Sequence, residues 1–209
     1  KDNLQESEIG QMRCNYQLNN YQGSIANAII ALEDEKIDEN VKNEANLIIA
    51  KSNLKLESPK EAGRYLVKVV ANGAPSQAAE AMYLQARIQF NQDSLDSTEA
   101  LVFSLVERYQ TQSFWLGKSL LLLTDVYMTR GDLFQAKATL NSVLDNYMKE
   151  DEVKQMAREK LATIEELESA SDEEEAPELE INFQQDGGMD QPEETEEENE
   201  APNNELDEE

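Results

Sequence analysis

Apolar residues recur at helical spacing through residues 1–168. Val102, Leu105 and Tyr109 are a typical case, because a return every three or four positions indicates an amphipathic helix. No strand-length segment of this region alternates apolar with polar residues. Short stretches rich in Gly, Pro, Asn, Asp and Ser interrupt the pattern, as at residues 130–132, and such residues end helices. The pattern predicts about nine helices of roughly 11–18 residues, joined by short loops.

The helical pattern itself repeats, without gaps, every 36–38 residues. A small side chain near the start of each second helix would let two helices approach closely, so the repeat predicts four antiparallel helix pairs. The aligned core position of the first helix is held by Met12, Ala50, Ala86 and Thr124. The small residue of the second helix is Ser24, Ala62, Thr98 or Ala136. The predicted pairs occupy approximately residues 4–34, 40–71, 76–109 and 113–148.

A ninth helix is predicted at residues 151–168, after the last pair. One further period from Thr124 reaches Ala162 within it. The helix is polar on one side, as expected of a helix that caps the end of a stack. Residues 1–168 are therefore predicted to form one domain of four pairs and a cap.

The fourth unit carries the most specific motif. Its order of large, small and aromatic residues resembles the tetratricopeptide repeat, a helix–turn–helix unit of about 34 residues. The motif residues are Leu120, Leu123, Thr124, Tyr127, Gly131, Asp132, Leu133, Ala136, Leu140 and Val143. Asn19, Glu57 and Asp93 replace the turn glycine in the first three units. The resemblance implies an all-α solenoid, similar to the C-terminal part of a long bacterial protein of this family.

In this family the first helices line a concave groove that holds peptides, and the resemblance implies such a partner groove here. Counting from the aligned core residues places a basic row ending in one acid, flanked by apolar and aromatic side chains. Such a groove would suit an extended or helical partner in which acidic and apolar residues alternate. The row is Arg13, Lys51, Arg87 and Asp125. The flanking residues include Tyr16, Leu54, Tyr83, Phe90 and Met128.

The same residues also have a purely structural interpretation. The apolar stripe of each first helix can belong to the core, with Arg and Lys extending from its edge into water. Trp115 is expected to pack on the preceding helix pair rather than bind a ligand. A second family feature, the carboxylate clamp of co-chaperones, uses Lys, Asn and Arg on neighbouring first helices. Its candidate residues here are Arg13, Asn15, Lys51, Asn53 and Arg87.

Charge divides the chain into two parts. The 209 residues carry 44 acidic and 18 basic side chains, a formal net charge of −26. Residues 169–209 hold 18 of the acids and no Lys or Arg, so this acidic tail is predicted to be disordered. Leu179, Ile181 and Phe183 alternate with polar residues there. They are either a docking motif for a sheet edge or groove, or a few solvated apolar side chains.

Composition excludes several functions. The chain has no His and one Cys, which rules out zinc sites built from those ligands and His-dependent catalysis. Its acidity disfavours nucleic-acid binding, and no apolar run is long enough to span a membrane. Phosphate-binding glycine loops and nucleophile motifs are missing. We therefore expect no enzyme, no cofactor and no metal, and we interpret Cys14 as a small buried side chain.

These observations favour a non-catalytic scaffold that binds other proteins or peptides. The opening at Lys1 suggests a fragment whose earlier repeats and targeting signal are missing. The resemblance favours the bacterial cell envelope, on the periplasmic side, with the cytoplasm as the alternative location. Two alternative functions are an acidic-tail chaperone or nucleic-acid mimic, and a carboxylate-clamp co-chaperone. A further hypothesis places the acidic tail in the cationic groove as an autoinhibitory segment.

Overall fold

The computed structural model describes residues 2–174, and within them the side chains of residues 6–169. All regular structure in this part of the chain is α-helical, which confirms the predicted all-α fold. The helices are α1 (Asp2–Gln17), α2 (Tyr21–Leu32), α3 (Glu39–Lys55), α4 (Pro59–Asn72), α5 (Pro75–Phe90), α6 (Leu95–Arg108), α7 (Ser113–Thr129), α8 (Leu133–Asn146) and α9 (Glu152–Glu174).

Helix α9 is longer than the sequence pattern predicts. Its end was expected near residue 168, but the helix continues to Glu174. Residues 169–174 contain neither Gly nor Pro, so no residue interrupts the backbone hydrogen bonds, although clustered carboxylates at a C-terminus oppose the helix dipole. The predicted disorder of the tail from residue 175 onwards, and its candidate docking residues Leu179, Ile181 and Phe183, lie outside the described residues.

The turn within each helix pair has one backbone conformation in all four units. The φ angle is +61° at Asn19, +55° at Glu57, +56° at Asp93 and +76° at Gly131. These are the positions that the repeat aligns, so the left-handed turn persists where the glycine has been replaced. Gly adopts this region freely and Asn and Asp tolerate it, whereas Glu57 pays about 1 kcal/mol in steric strain.

Helices within a pair meet at the small residues that the repeat identifies. Ser24, Ala62, Thr98 and Ala136 are all fully buried. In the first pair the Ser24 hydroxyl donates a hydrogen bond of 2.9 Å to the carbonyl oxygen of Met12, which requires the two helices to be in close contact. The small residues that the repeat aligns are therefore buried in all four predicted pairs.

Helix α9 does not continue the buried core position of the repeat. Ala162 is exposed, and α9 buries Ala157 and Ile164. The described residues contain no helix after α9 that could cover Ala162, so only the side facing α7 and α8 is buried. Cys14 is exposed rather than buried, because it lies two positions after the buried Met12 and hence about 200° further around α1.

The contacts between helices define a layer. Each helix packs on its neighbours in the chain, and the odd-numbered helices α1, α3, α5, α7 and α9 also contact one another in that order. Within residues 2–174, α2, α4, α6 and α8 make contacts only with their chain neighbours. The odd-numbered helices therefore form a continuous surface, which we call the odd-helix layer.

Helix α9 closes on α7 at a glycine. A Cβ atom added to Gly117 would lie 2.6 Å from Cγ1 of Val153 on α9 and 3.4 Å from the ring of Tyr147. Both neighbouring side chains are buried, so neither moves away without loss of packing. Gly117 is thus needed for the close approach of the two helices.

We predict that Glu57→Gly stabilises the protein by about 0.5–1 kcal/mol, because glycine removes the strain at positive φ. The measurement is the midpoint of urea unfolding followed by circular dichroism. Glu57→Ala is the matched control, since it removes the same charge but retains a Cβ. Equal stability of the Gly and Ala variants would contradict the backbone explanation.

A second stability prediction concerns Gly117. Gly117→Ala and Gly63→Ala gain the same helix propensity, but no atom lies within 4 Å of a Cβ added at Gly63. We expect Gly63→Ala to be more stable than Gly117→Ala by about 1–3 kcal/mol, the usual cost of overpacking a core. Urea unfolding of the two variants gives this difference directly, and indistinguishable midpoints would show that α9 does not pack tightly against Gly117.

Candidate functional site

Two cavities lie side by side on the odd-helix layer. The first has a volume of about 290 Å³ and is formed by α1, α3 and α5. The second, of about 360 Å³, is formed by α5, α7 and α9. Arg87 and Asn91 line both cavities, so the C-terminal part of α5 separates them and faces each.

Most of the predicted groove residues line these cavities. Tyr16, Lys51, Leu54 and Arg87 surround the first. Arg87 lines the second as well, together with Tyr83, Phe90 and Asp125. Two predicted residues, Arg13 and Met128, line neither cavity; Met128 packs against the core formed by α7, α8 and α9.

The predicted basic row is largely neutralised by ion pairs between neighbouring odd-numbered helices. Arg13 on α1 makes two hydrogen bonds, of 2.6 and 2.7 Å, to the carboxylate of Glu44 on α3. Lys51 on α3 pairs with Glu80 on α5 at 2.7 Å. At the other end of the layer, Asp125 on α7 pairs with Lys160 on α9.

The acidic partners of the row could have been found in the sequence. Glu44 and Glu80 are 36 residues apart, which is one repeat, so they hold equivalent positions on α3 and α5. The next equivalent position, 38 residues on, is Lys118 on α7. Glu44 lies opposite Arg13, and Glu80 lies opposite Lys51. By the same register, Lys118 is the residue opposite Arg87.

Arg87 consequently has no acidic partner among the described side chains. It is exposed, and its guanidinium carbon lies 5.9 Å from the centre of the Tyr83 ring. Lys118 pairs with Glu152 of α9 at 3.4 Å. Both cations line the second cavity, where the carboxylate of Asp125 is paired with Lys160. Among the described side chains, no ion pair joins α5 to α7, unlike the other neighbouring odd-numbered helices.

Aromatic rings pack on the buried side of Arg87. Tyr83 is buried under Arg87, and the Trp115 ring centre lies 5.6 Å from that of Tyr83, so Trp115 packs on the preceding pair as expected. Burial raises the pKa of Tyr83, and the nearby Arg87 partly opposes the rise. The phenol of Tyr83 therefore remains protonated at neutral pH, so the ring next to Arg87 is uncharged.

The candidate carboxylate-clamp residues do not converge on one site. The Asn15 amide donates to the side chain of Asn27 at 2.8 Å, and the Asn53 amide donates to the backbone of Ile49 at 2.9 Å. Arg13 and Lys51 are engaged by the glutamates described above. Arg87 differs from Arg13 and Lys51 in having no acidic partner within residues 6–169. Its polar neighbour is the Tyr83 side chain.

Neither a metal centre nor a membrane span is evident in the described residues. No group of three or more His, Cys, Asp or Glu side chains there is arranged to hold a metal ion. None of the helices in residues 2–174 combines the length and apolar character needed to cross a bilayer.

Comparisons with known proteins leave the relationship open. No family model matches the chain, and no curated protein is significantly similar to it.

A double-mutant cycle tests the ion pairs of the layer. Lys51 and Glu80 have side chains only 32% and 16% exposed, so we expect the cycle Lys51→Gln with Glu80→Gln to give a coupling of about 1 kcal/mol. The exposed pair Arg64–Glu61 within α4 is the control, with an expected coupling below about 0.5 kcal/mol. Urea unfolding at low and high salt measures both, and a Lys51–Glu80 coupling no larger than the control would contradict this account.

Proposed function

We propose that the chain is a non-catalytic scaffold of the tetratricopeptide-repeat type, which binds a segment of another protein on the odd-helix layer. The proposal rests on the pair of adjoining cavities that meet at Arg87. A solenoid arrangement is supported by the pattern of contacts between helices, since each helix touches only helices one or two places away in the chain.

The same contacts favour the odd-helix layer as the concave side. Helices α1, α3, α5, α7 and α9 are close enough to touch in sequence, whereas the even-numbered helices are not in contact with one another. A stack of pairs that is tighter on one side curves towards that side. The layer with the cavities is therefore the inner surface, where a bound segment contacts several repeats at once.

The chemistry of the cavities indicates what kind of segment fits. Leu54, Leu84 and Ile88 give the first cavity an apolar wall, and Lys55 and Arg87 lie beside it. An extended segment that places an apolar side chain in this wall and a carboxylate near Arg87 satisfies both. A bidentate contact to the guanidinium would also fix the orientation of the segment.

Peptide display on the full chain tests the proposed function. We expect selected peptides to combine carboxylates with apolar side chains, and Arg87→Glu to weaken their binding at least about tenfold, because it replaces the attraction with repulsion. Arg108→Glu, an equal charge change on the even-numbered helix α6, is the control and should alter affinity by less than about twofold. Isothermal titration calorimetry measures both.

The outcome also separates the scaffold from a function carried by the acidic tail. If binding depended on residues 169–209, as in an acidic chaperone, Arg87→Glu and Arg108→Glu would have the same effect. Equal affinities of the two variants for the selected peptides would therefore overturn the proposed groove.

A further inference from the structure

We propose that Arg87 and Lys118 form an anion site between α5 and α7, and that its occupant is the chain's own acidic segment, residues 175–209. The inference rests on the proposed function, because it assigns a regulatory occupant to the same odd-helix layer. A partner segment would then bind by displacing the tail.

The position of the site follows from the interruption of the ion-pair series. The interfaces α1–α3, α3–α5 and α7–α9 each contain at least one ion pair between a first-helix cation and a carboxylate of the next odd-numbered helix. The α5–α7 interface has cations at both equivalent positions. Two neighbouring cations repel each other, and a carboxylate bound between them replaces that repulsion with two attractions.

The two cations are suited to hold a carboxylate. Arg87 is exposed, offers a planar fork of donors, and is backed by the Tyr83 ring. The Lys118 side chain is only 17% exposed, and its distance of 3.4 Å to Glu152 is longer than the 2.6 Å and 2.7 Å of the α1–α3 and α3–α5 pairs. Glu152 is 60% exposed, so it neutralises Lys118 weakly.

Charge and sequence complementarity favour the tail as occupant. Residues 175–209 contain fifteen Asp and Glu and no Lys or Arg. Glu178 and Glu180 flank Leu179, and Ile181 and Phe183 follow. This alternation of carboxylates with apolar side chains matches a cation site that adjoins an apolar-walled cavity.

The attachment point of the tail also favours it. The tail follows Glu174 of α9, and α9 itself contributes Met156 and Lys160 to the wall of the second cavity. A chain of this length reaches up to about 120 Å when extended. Covalent attachment gives such a segment an effective concentration of about 1 mM. An acidic segment of another protein, present at a lower concentration, therefore displaces the tail only if it binds the site more tightly.

The test uses NMR amide shifts of the isotope-labelled full chain. At low salt, we expect the amides of residues 178–183 to shift between the wild type and the double variant Arg87→Gln/Lys118→Gln. The control Lys36→Gln/Lys60→Gln removes two exposed lysines outside the layer and should match the wild type. At about 1 M salt, where the Debye length is near 3 Å, the three proteins should give the same tail shifts.

A reciprocal variant, in the tail rather than in the odd-helix layer, shows whether the result depends on misfolding of the substituted layer. Glu178→Gln/Glu180→Gln changes only the tail, and we expect it to shift the amides of Arg87, Asn91 and Lys118 in the direction that salt shifts them. Tail shifts at low salt that are identical in the wild type and the Arg87→Gln/Lys118→Gln variant, together with no response of Arg87 to the tail variant, would overturn the proposal.

Adding a display-selected peptide to the wild type distinguishes the two sources of carboxylate. Release of the tail, seen as shifts of residues 178–183 towards their high-salt values, supports a shared site. Peptide binding that requires Arg87 while the tail amides never respond would leave the scaffold function intact and refute the tail as occupant. A responding tail with no peptide that binds the layer would instead count against the scaffold function alone.

Discussion

The close approach of two helices at one small residue determines the rest of this structure. Ser24, Ala62, Thr98 and Ala136 are fully buried between the helices of their pairs, and a larger side chain at any of them would separate the two backbones. Because the distance between helices is set there, the apolar residues one and two turns further on meet in a common core. The same contact keeps the odd-numbered helices close enough to touch one another. The ion pairs and cavities of the layer depend on this short distance between helices.

The sequence predicts the helical class, the four pairs and their register, because each of these depends on local periodicity. It also places most of the cavity-lining residues, including Tyr16, Lys51 and Arg87. The prediction that Cys14 is buried was wrong. Whether a helical position is buried depends on which neighbouring helix covers it, and the period of a single helix does not contain that information.

The charge pattern of the layer was only half predicted. A basic row was expected, but Glu44 and Glu80 neutralise its first two members. Each glutamate lies on the next odd-numbered helix after that of the cation it binds. The pairing is therefore recognised only when equivalent positions are compared across units. The same comparison identifies Lys118 as the exception, which makes the unpaired Arg87 a property of the interface between units rather than of either helix.

The contacts of every described helix are confined to helices one or two places away in the chain. A native structure built from short-range contacts has a low contact order, and such topologies lose little chain entropy before their first stabilising contacts form. Ordering can thus begin at any pair and spread to its neighbours. For the same reason the first and last helices, which have neighbours on one side within the described residues, are the places where thermal opening begins.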